Sequence, residues 1–99
     1  MTMPDSIVLV ETETVVPGTN AGMMIFAVSP GASTAGHAHE SDELWIVRSG
    51  EGYVEMEGHR TRLTASDAPL SIPARVFHRV FAAAQDDLVV LSLWWKSAS

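Results

Sequence analysis

Turn-forming residues interrupt this chain at short intervals, and that spacing constrains the fold more than any other feature. Pro17-Gly18, Pro30-Gly31, Ser49-Gly50, Gly58, Ser66-Asp67, Pro73 and Gln85-Asp87 each stop the stretch before them. Between the breaks lie short runs of β-branched, aromatic and large aliphatic residues, with little helical periodicity. Strands are expected near residues 7–10, 14–16, 23–29, 44–47, 53–56, 60–63, 70–72, 78–81 and 88–95. Short strands at this spacing predict an all-β sandwich or barrel. With 99 residues, 46% of them hydrophobic, the expectation is one globular domain over 1–99 with a single modest core.

Alternation indicates which side chains share a face. From Glu43 to Val47, Glu43, Trp45 and Val47 lie on one side and Leu44 and Ile46 on the other. Both sides are apolar, so the outer side needs a cover, and a second copy of the chain is the economical one. Adjacent Trp94 and Trp95 must likewise point opposite ways. The expectation is a homodimer that buries Leu44, Ile46 and one of these tryptophans. Leu63 is expected to face inward and Arg60 and Arg62 outward. Glu51, Glu55 and Glu57 read as a solvated row, and His59 as a solvated residue at a hairpin tip.

The chemistry concentrates in residues 30–50, "PGASTAGHAHESDELWIVRSG". In extended backbone His37 and His39 project to the same side, with small Ala38 pointing away. Glu43 opens the next strand after a Ser41-Asp42 bend. His78 follows Pro73 at the start of another apolar run. Three imidazoles and one carboxylate suit Fe, Mn, Ni, Co, Cu or Zn, and would leave an octahedral ion two open positions. The chain has no cysteine, which excludes disulfides, thiolate ligands and cysteine nucleophiles. Ser41, His39 and Asp42 lie too close in one loop for a hydrolase triad, and no nucleophile-elbow sequence is present.

Gly31, His37, His39, Glu43 and Gly50 resemble the first motif of the cupin superfamily at every defining position. The second motif is matched in part, over 67–82. Pro73 and His78 are in place, whereas Asp67 and Arg75 stand where glycines belong and Ala82 where an asparagine belongs. The resemblance implies a small single-domain cupin, a double-stranded β-helix or jelly-roll barrel with a metal inside. It implies one divalent transition metal per chain, with His37, His39, Glu43 and His78 as ligands. Polar neighbours such as Ser41 would orient them. Arg75 in place of glycine is expected to force a different turn before His78, or to set a cation at the pocket mouth.

Met24, Phe26, Trp45, Val47, Met56 and Phe81 are the expected walls of a substrate pocket. In a barrel with an internal site, core and pocket wall are one layer. The implied activity is metal-dependent Lewis-acid chemistry on a small organic molecule, as an isomerase, cyclase or lyase. A cupin dioxygenase and a non-catalytic small-molecule or metal-binding module are the alternatives. Twelve acids against six bases, a net charge of −6, argue against nucleic acid as a partner. The apolar runs are too short to span a bilayer, and the N-terminal segment lacks the basic start of a signal peptide. A cytoplasmic location without membrane contact is therefore expected.

Overall fold

The computed structural model describes residues 8–96, which form eight strands and no helix. They are β1 (Val8–Val15), β2 (Ala21–Val28), β3 (Asp42–Ser49), β4 (Glu51–Met56), β5 (His59–Thr64), β6 (Leu70–Ile72), β7 (His78–Ala82) and β8 (Leu88–Trp95). The pairings are antiparallel and build two layers. One sheet has five strands in the order β1-β2-β8-β3-β6, and the other three in the order β5-β4-β7. The segment before β3 adds to the smaller sheet through bridges from Ser33 to Phe81 and from His37 to His78. This is the expected all-β jelly roll. No helix among the described residues is long and apolar enough to cross a membrane.

One expected break is absent. The strands anticipated near 7–10 and 14–16 are a single strand, β1, within which the register shifts between Val10 and Thr12. Glu11 is the extra residue, and no Gly, Pro or Asn lies there to turn the chain, so a bulge absorbs it. Ile7, where the first strand was placed, lies outside the described residues.

The inner faces meet in a core of Phe26, Val28, Trp45, Val54, Leu63, Ile72, Val80, Ala82, Leu88 and Val90. Alternation turns Val54 of β4, Val80 and Ala82 of β7, and Leu88 and Val90 of β8 into it, and each large aliphatic side chain removed from water contributes about 1.5–3 kcal/mol. Leu63 is buried, while Arg60 and Arg62 are exposed. Tyr53 and Glu55 face outward: the Tyr53 ring stacks on Phe81 at 4.8 Å, and Arg60 Nε donates to Glu55 Oε2 at 2.9 Å. Glu57 leaves the expected glutamate row and enters the turn instead.

The outer face of the five-stranded sheet is apolar across its three central strands. Register places Met23 beside Leu93 and Leu93 beside Leu44, and in the next row Ile25 beside Leu91 and Leu91 beside Ile46. Met23 is 40% exposed and Trp95, at the head of this grid, 42%. Trp94 points the other way, between Gly22 and Glu43. A Cβ on Gly22 would strike the Trp94 ring, so the glycine makes room for the indole.

The β4–β5 hairpin closes through two residues, Glu57 and Gly58, both left-handed at φ 49° and 78°. That is the signature of a type I′ turn, whose twist suits a tight hairpin. Glycine takes this conformation freely, whereas glutamate adopts it against steric resistance. Replacing Glu57 by Asn, which tolerates the left-handed region, is expected to stabilise the protein by a few tenths to about 1 kcal/mol. Chemical denaturation of Glu57→Asn beside the parent checks this, and an unchanged or lowered midpoint would refute the turn assignment.

Candidate metal centre

Two loops converge at one end of the sandwich. The first carries His37 and His39 into β3, where Glu43 is the second residue. The second runs from Pro73 to His78, which opens β7. Backbone hydrogen bonds join them: His37 N donates to His78 O at 2.9 Å, and His78 N to His37 O at 2.8 Å. Arg75 N donates to His39 O at 2.6 Å. Asp42 Oδ1 accepts from Ala74 N at 2.9 Å. Each loop thus fixes the path of the other.

The ligand atoms of His39, Glu43 and His78 lie within 4.8 Å of one another. Glu43 is 5% exposed and its orientation is set. Its Oε1 accepts from Trp45 Nε1 at 2.9 Å and from Ser92 Oγ at 2.8 Å. Its Oε2 is left toward His39, whose Nε2 is 3.9 Å away. The His78 ring is fixed as well, with Nδ1 3.0 Å from Val76 O. A carbonyl only accepts, so Nδ1 carries the proton and Nε2 keeps the free lone pair. Burial pushes the His78 imidazole below its ordinary range, against the opposing pull of the Val76 carbonyl and the Glu43 charge. The neutral form so favoured is the ligating form.

These residues fit a metal ion. Two imidazoles and a carboxylate converge, and the carboxylate and one imidazole are oriented by partners on their far sides. The orienting groups are Trp45, Ser92 and Val76, rather than Ser41. His37 stands beside this group of three and not within it. Its ring lies parallel to that of His39, centroids 5.6 Å apart, and faces the same cavity.

That cavity is about 160 Å³ and is walled by Met24, Phe26, Thr34, Trp45 and Val80. Met24, Phe26 and Trp45 were expected there. Val47 opens instead onto a separate cavity beyond Trp45, and Met56 onto a depression beside Phe77 and Arg79. Phe81 lies on the outer face, against Tyr53 and 5.0 Å from the Arg79 guanidinium carbon, and does not wall the site. Val80 occupies the place given to Phe81. Parity could have found it: with His78 inward, Val80 and Ala82 must follow and Phe81 must not. Thr34 gives no comparable signal in the sequence. It is buried, and its Oγ1 accepts from Val80 N at 3.0 Å. Neither Lys nor Arg lines this cavity among the described residues.

The departures from the second motif resolve individually. Asp67 keeps a turn: its N–H donates to Thr64 O at 3.1 Å, and its carboxylate accepts from Thr64 Oγ1 at 2.9 Å and from Arg62 at 3.3 Å. These hydrogen bonds, Thr64 first, hold the Asp67 carboxyl below its usual range. Ala82 is a core residue. Arg75 corrects the expectation of a different turn. It takes the left-handed conformation itself, at φ 64°, because its N–H is held by His39 O. Its side chain reaches Glu40 at 3.4 Å in solvent, away from the cavity lining.

A left-handed arginine carries a steric cost of about 1–2 kcal/mol that glycine escapes. The exposed pair with Glu40 offsets at most about 1 kcal/mol of it. Arg75→Gly is therefore expected to match or exceed the parent in stability by up to about 1 kcal/mol, where Gly ordinarily destabilises. Urea midpoints for the parent, Arg75→Gly and Arg75→Ala check this. A glycine variant less stable than the alanine variant would contradict it.

A cupin-domain family model matches residues 24–94. A cupin superfamily protein from Desulfitobacterium hafniense is similar in structure, with a TM-score of 0.77 at 16% identity, over 98% of this chain and 84% of that one. KdgF from Halomonas sp. is similar at a TM-score of 0.72 and 23% identity, over 99% of this chain and 86% of that one. A predicted oxalate decarboxylase from Thermotoga maritima is similar at a TM-score of 0.70 and 21% identity, over 79% of this chain and 69% of that one. With most of its length matched by the family model and its fold shared with these proteins, this chain belongs to the cupin family.

Proposed function

We propose that this cupin is a metal-dependent enzyme that binds a small organic molecule in the cavity above His39, Glu43 and His78. His37, His39, Glu43 and His78 are the proposed ligand set, with His37 joining the three that already converge. The supporting observation is a buried, oriented carboxylate beside two imidazoles at the end of an apolar cavity free of fixed cations. A bound divalent ion would act as a Lewis acid that polarises an oxygen of the substrate. The chain's own residues do the rest. Met24, Phe26, Trp45 and Val80 exclude water and select an apolar body, while Trp45 and Ser92 hold Glu43 in place. With no lysine or arginine at the wall, the substrate's anionic or carbonyl oxygen is left to the metal.

Isomerase, cyclase or lyase chemistry needs no external electrons and fits this cavity. One structural neighbour is a predicted oxalate decarboxylase, and decarboxylation is lyase chemistry. A dioxygenase that draws its electrons from the substrate is the alternative. A module that binds without turnover is favoured by one observation. Among the described residues the cavity's titratable groups are His37, His39, Glu43 and His78, with no further acid or base beside them.

Metal analysis of purified protein should give close to one ion per chain. His39→Ala combined with His78→Ala should lower this at least about tenfold, given what loss of two ligands costs a site. Equal content in both would remove the proposed site. Protein reconstituted separately with Fe(II), Mn(II), Ni(II) and Zn(II) would then be assayed on small keto acids and phenols, with and without air. Anaerobic turnover with Zn(II) or Ni(II) supports the Lewis-acid reading. Turnover only with a redox-active metal, with O2 consumed, transfers the assignment to the dioxygenase.

A second copy of the chain is the proposed cover for the outer grid of Met23, Ile25, Leu44, Ile46, Leu91, Leu93 and Trp95. β3 carries Asp42 at one end of the grid and Arg48 at the other. Two copies apposed with these strands antiparallel would bring opposite charges together at each rim. Light scattering at micromolar concentration should report about twice the chain mass, and Ile46→Glu should report the single mass. A monomeric parent chain would refute the assignment.

A further inference from the structure

A larger cavity, about 270 Å³, lies on the other side of Trp45. It opens between β5 and β6, which are edge strands of different sheets and are not hydrogen-bonded to each other. Trp45, Val47, Leu63 and Leu70 form its floor. Trp45 and Leu63 are 3% and 2% exposed, so the floor is part of the packed core. The rim is the connection from β5 to β6, and it is tied down. The Asp67 carboxylate accepts from Arg62 at 3.3 Å and from Thr64 Oγ1 at 2.9 Å.

We infer that this rear cavity is a second binding site, for a small, neutral, apolar molecule. Three observations select that class. The floor offers carbon surface, with the indole N–H of Trp45 already given to Glu43. The rim's one cation and one anion are paired with each other, so neither a carboxylate nor an amine finds a free counter-charge. The volume sets an upper size: an enclosed apolar cavity of roughly 150 Å³ accommodates benzene, and this one, larger but partly open to solvent, has room for a single substituted ring or a branched aliphatic chain. The site is chemically unlike the front cavity, which ends on three convergent ligand atoms.

Trp45 is the wall shared by the two cavities. Its ring meets Phe26 edge-on at 5.4 Å and His78 edge-on at 5.4 Å, and its Nε1 holds Glu43. A guest in the rear cavity therefore presses on a side chain that touches one proposed metal ligand and fixes another.

The test uses metal-free, isotope-labelled full-length protein and toluene as the probe. Toluene should shift the Trp45 indole N–H, assigned by its loss in Trp45→Phe, together with the Leu63 and Leu70 methyls, and the shifts should saturate. Ala68→Leu at the rim, or Thr61→Leu from β5, narrows the cavity and should weaken binding at least tenfold. Each variant's spectrum shows whether it is folded, so one folded variant suffices. Val80→Phe, which fills the front cavity, should still show saturable shifts at the Leu63 and Leu70 methyls. Absence of saturable shifts, shifts confined to Met24 and Val80, or full-strength binding in a folded Ala68→Leu or Thr61→Leu protein would overturn the inference. None of these readouts requires metal or turnover, so the result is independent of the proposed activity.

Discussion

The site depends on one buried charge. Glu43 lies inside a small β-sandwich, where an isolated carboxylate would cost several kcal/mol. Trp45 and Ser92 satisfy one oxygen with two donors. The other oxygen faces the His39 and His78 imidazoles. A cation at that point would complete the balance, and would tie the fold's stability to the chemistry proposed for it. The sheet places the two donors. Trp45 is two residues along β3 from Glu43, on the same face, and Ser92 is its register partner on β8.

The two loops that carry the histidines solve a second problem, that of holding groups from distant parts of the chain in register. Strands alone would not do this, because His37 and His39 precede β3 and Pro73 ends β6. Backbone hydrogen bonds between the loops supply the missing order, and a short piece of extra sheet forms where His37 pairs with His78. Arg75 shows how firmly that order is imposed. The hydrogen bond to His39 keeps a turn whose conformation the arginine side chain disfavours.

Most of the architecture could be read from turn residues and alternation, since both are local properties of the backbone. Residues 70–72 and 88–95 form strands with the expected bounds, and Leu63 faces inward as parity requires. The merging of the first two strands was not legible, because a bulge leaves no compositional mark. Phe81 was misplaced for a different reason: size and apolarity drew it to the pocket, when its parity relative to His78 already excluded it. The orienting role of Ser92 could not be read locally at all. It rests on a pairing between residues 49 positions apart. Thr34 is of the same kind, buried by a bridge to β7 that no nearby pattern announces.

The paired tryptophans of β8 have a consequence for how this molecule can be observed. Trp94 lies inside next to Glu43, and Trp95 lies outside at 42% exposure. Register thus sets two optical reporters one residue apart on opposite faces of one sheet, Trp94 partly buried and Trp95 exposed. Emission from the second would respond to anything that covers the outer face, while the first, partly buried on the other face, would serve as its reference. Single-tryptophan versions of the chain would tell a change at the outer face of this sheet from a change at its inner face by fluorescence alone.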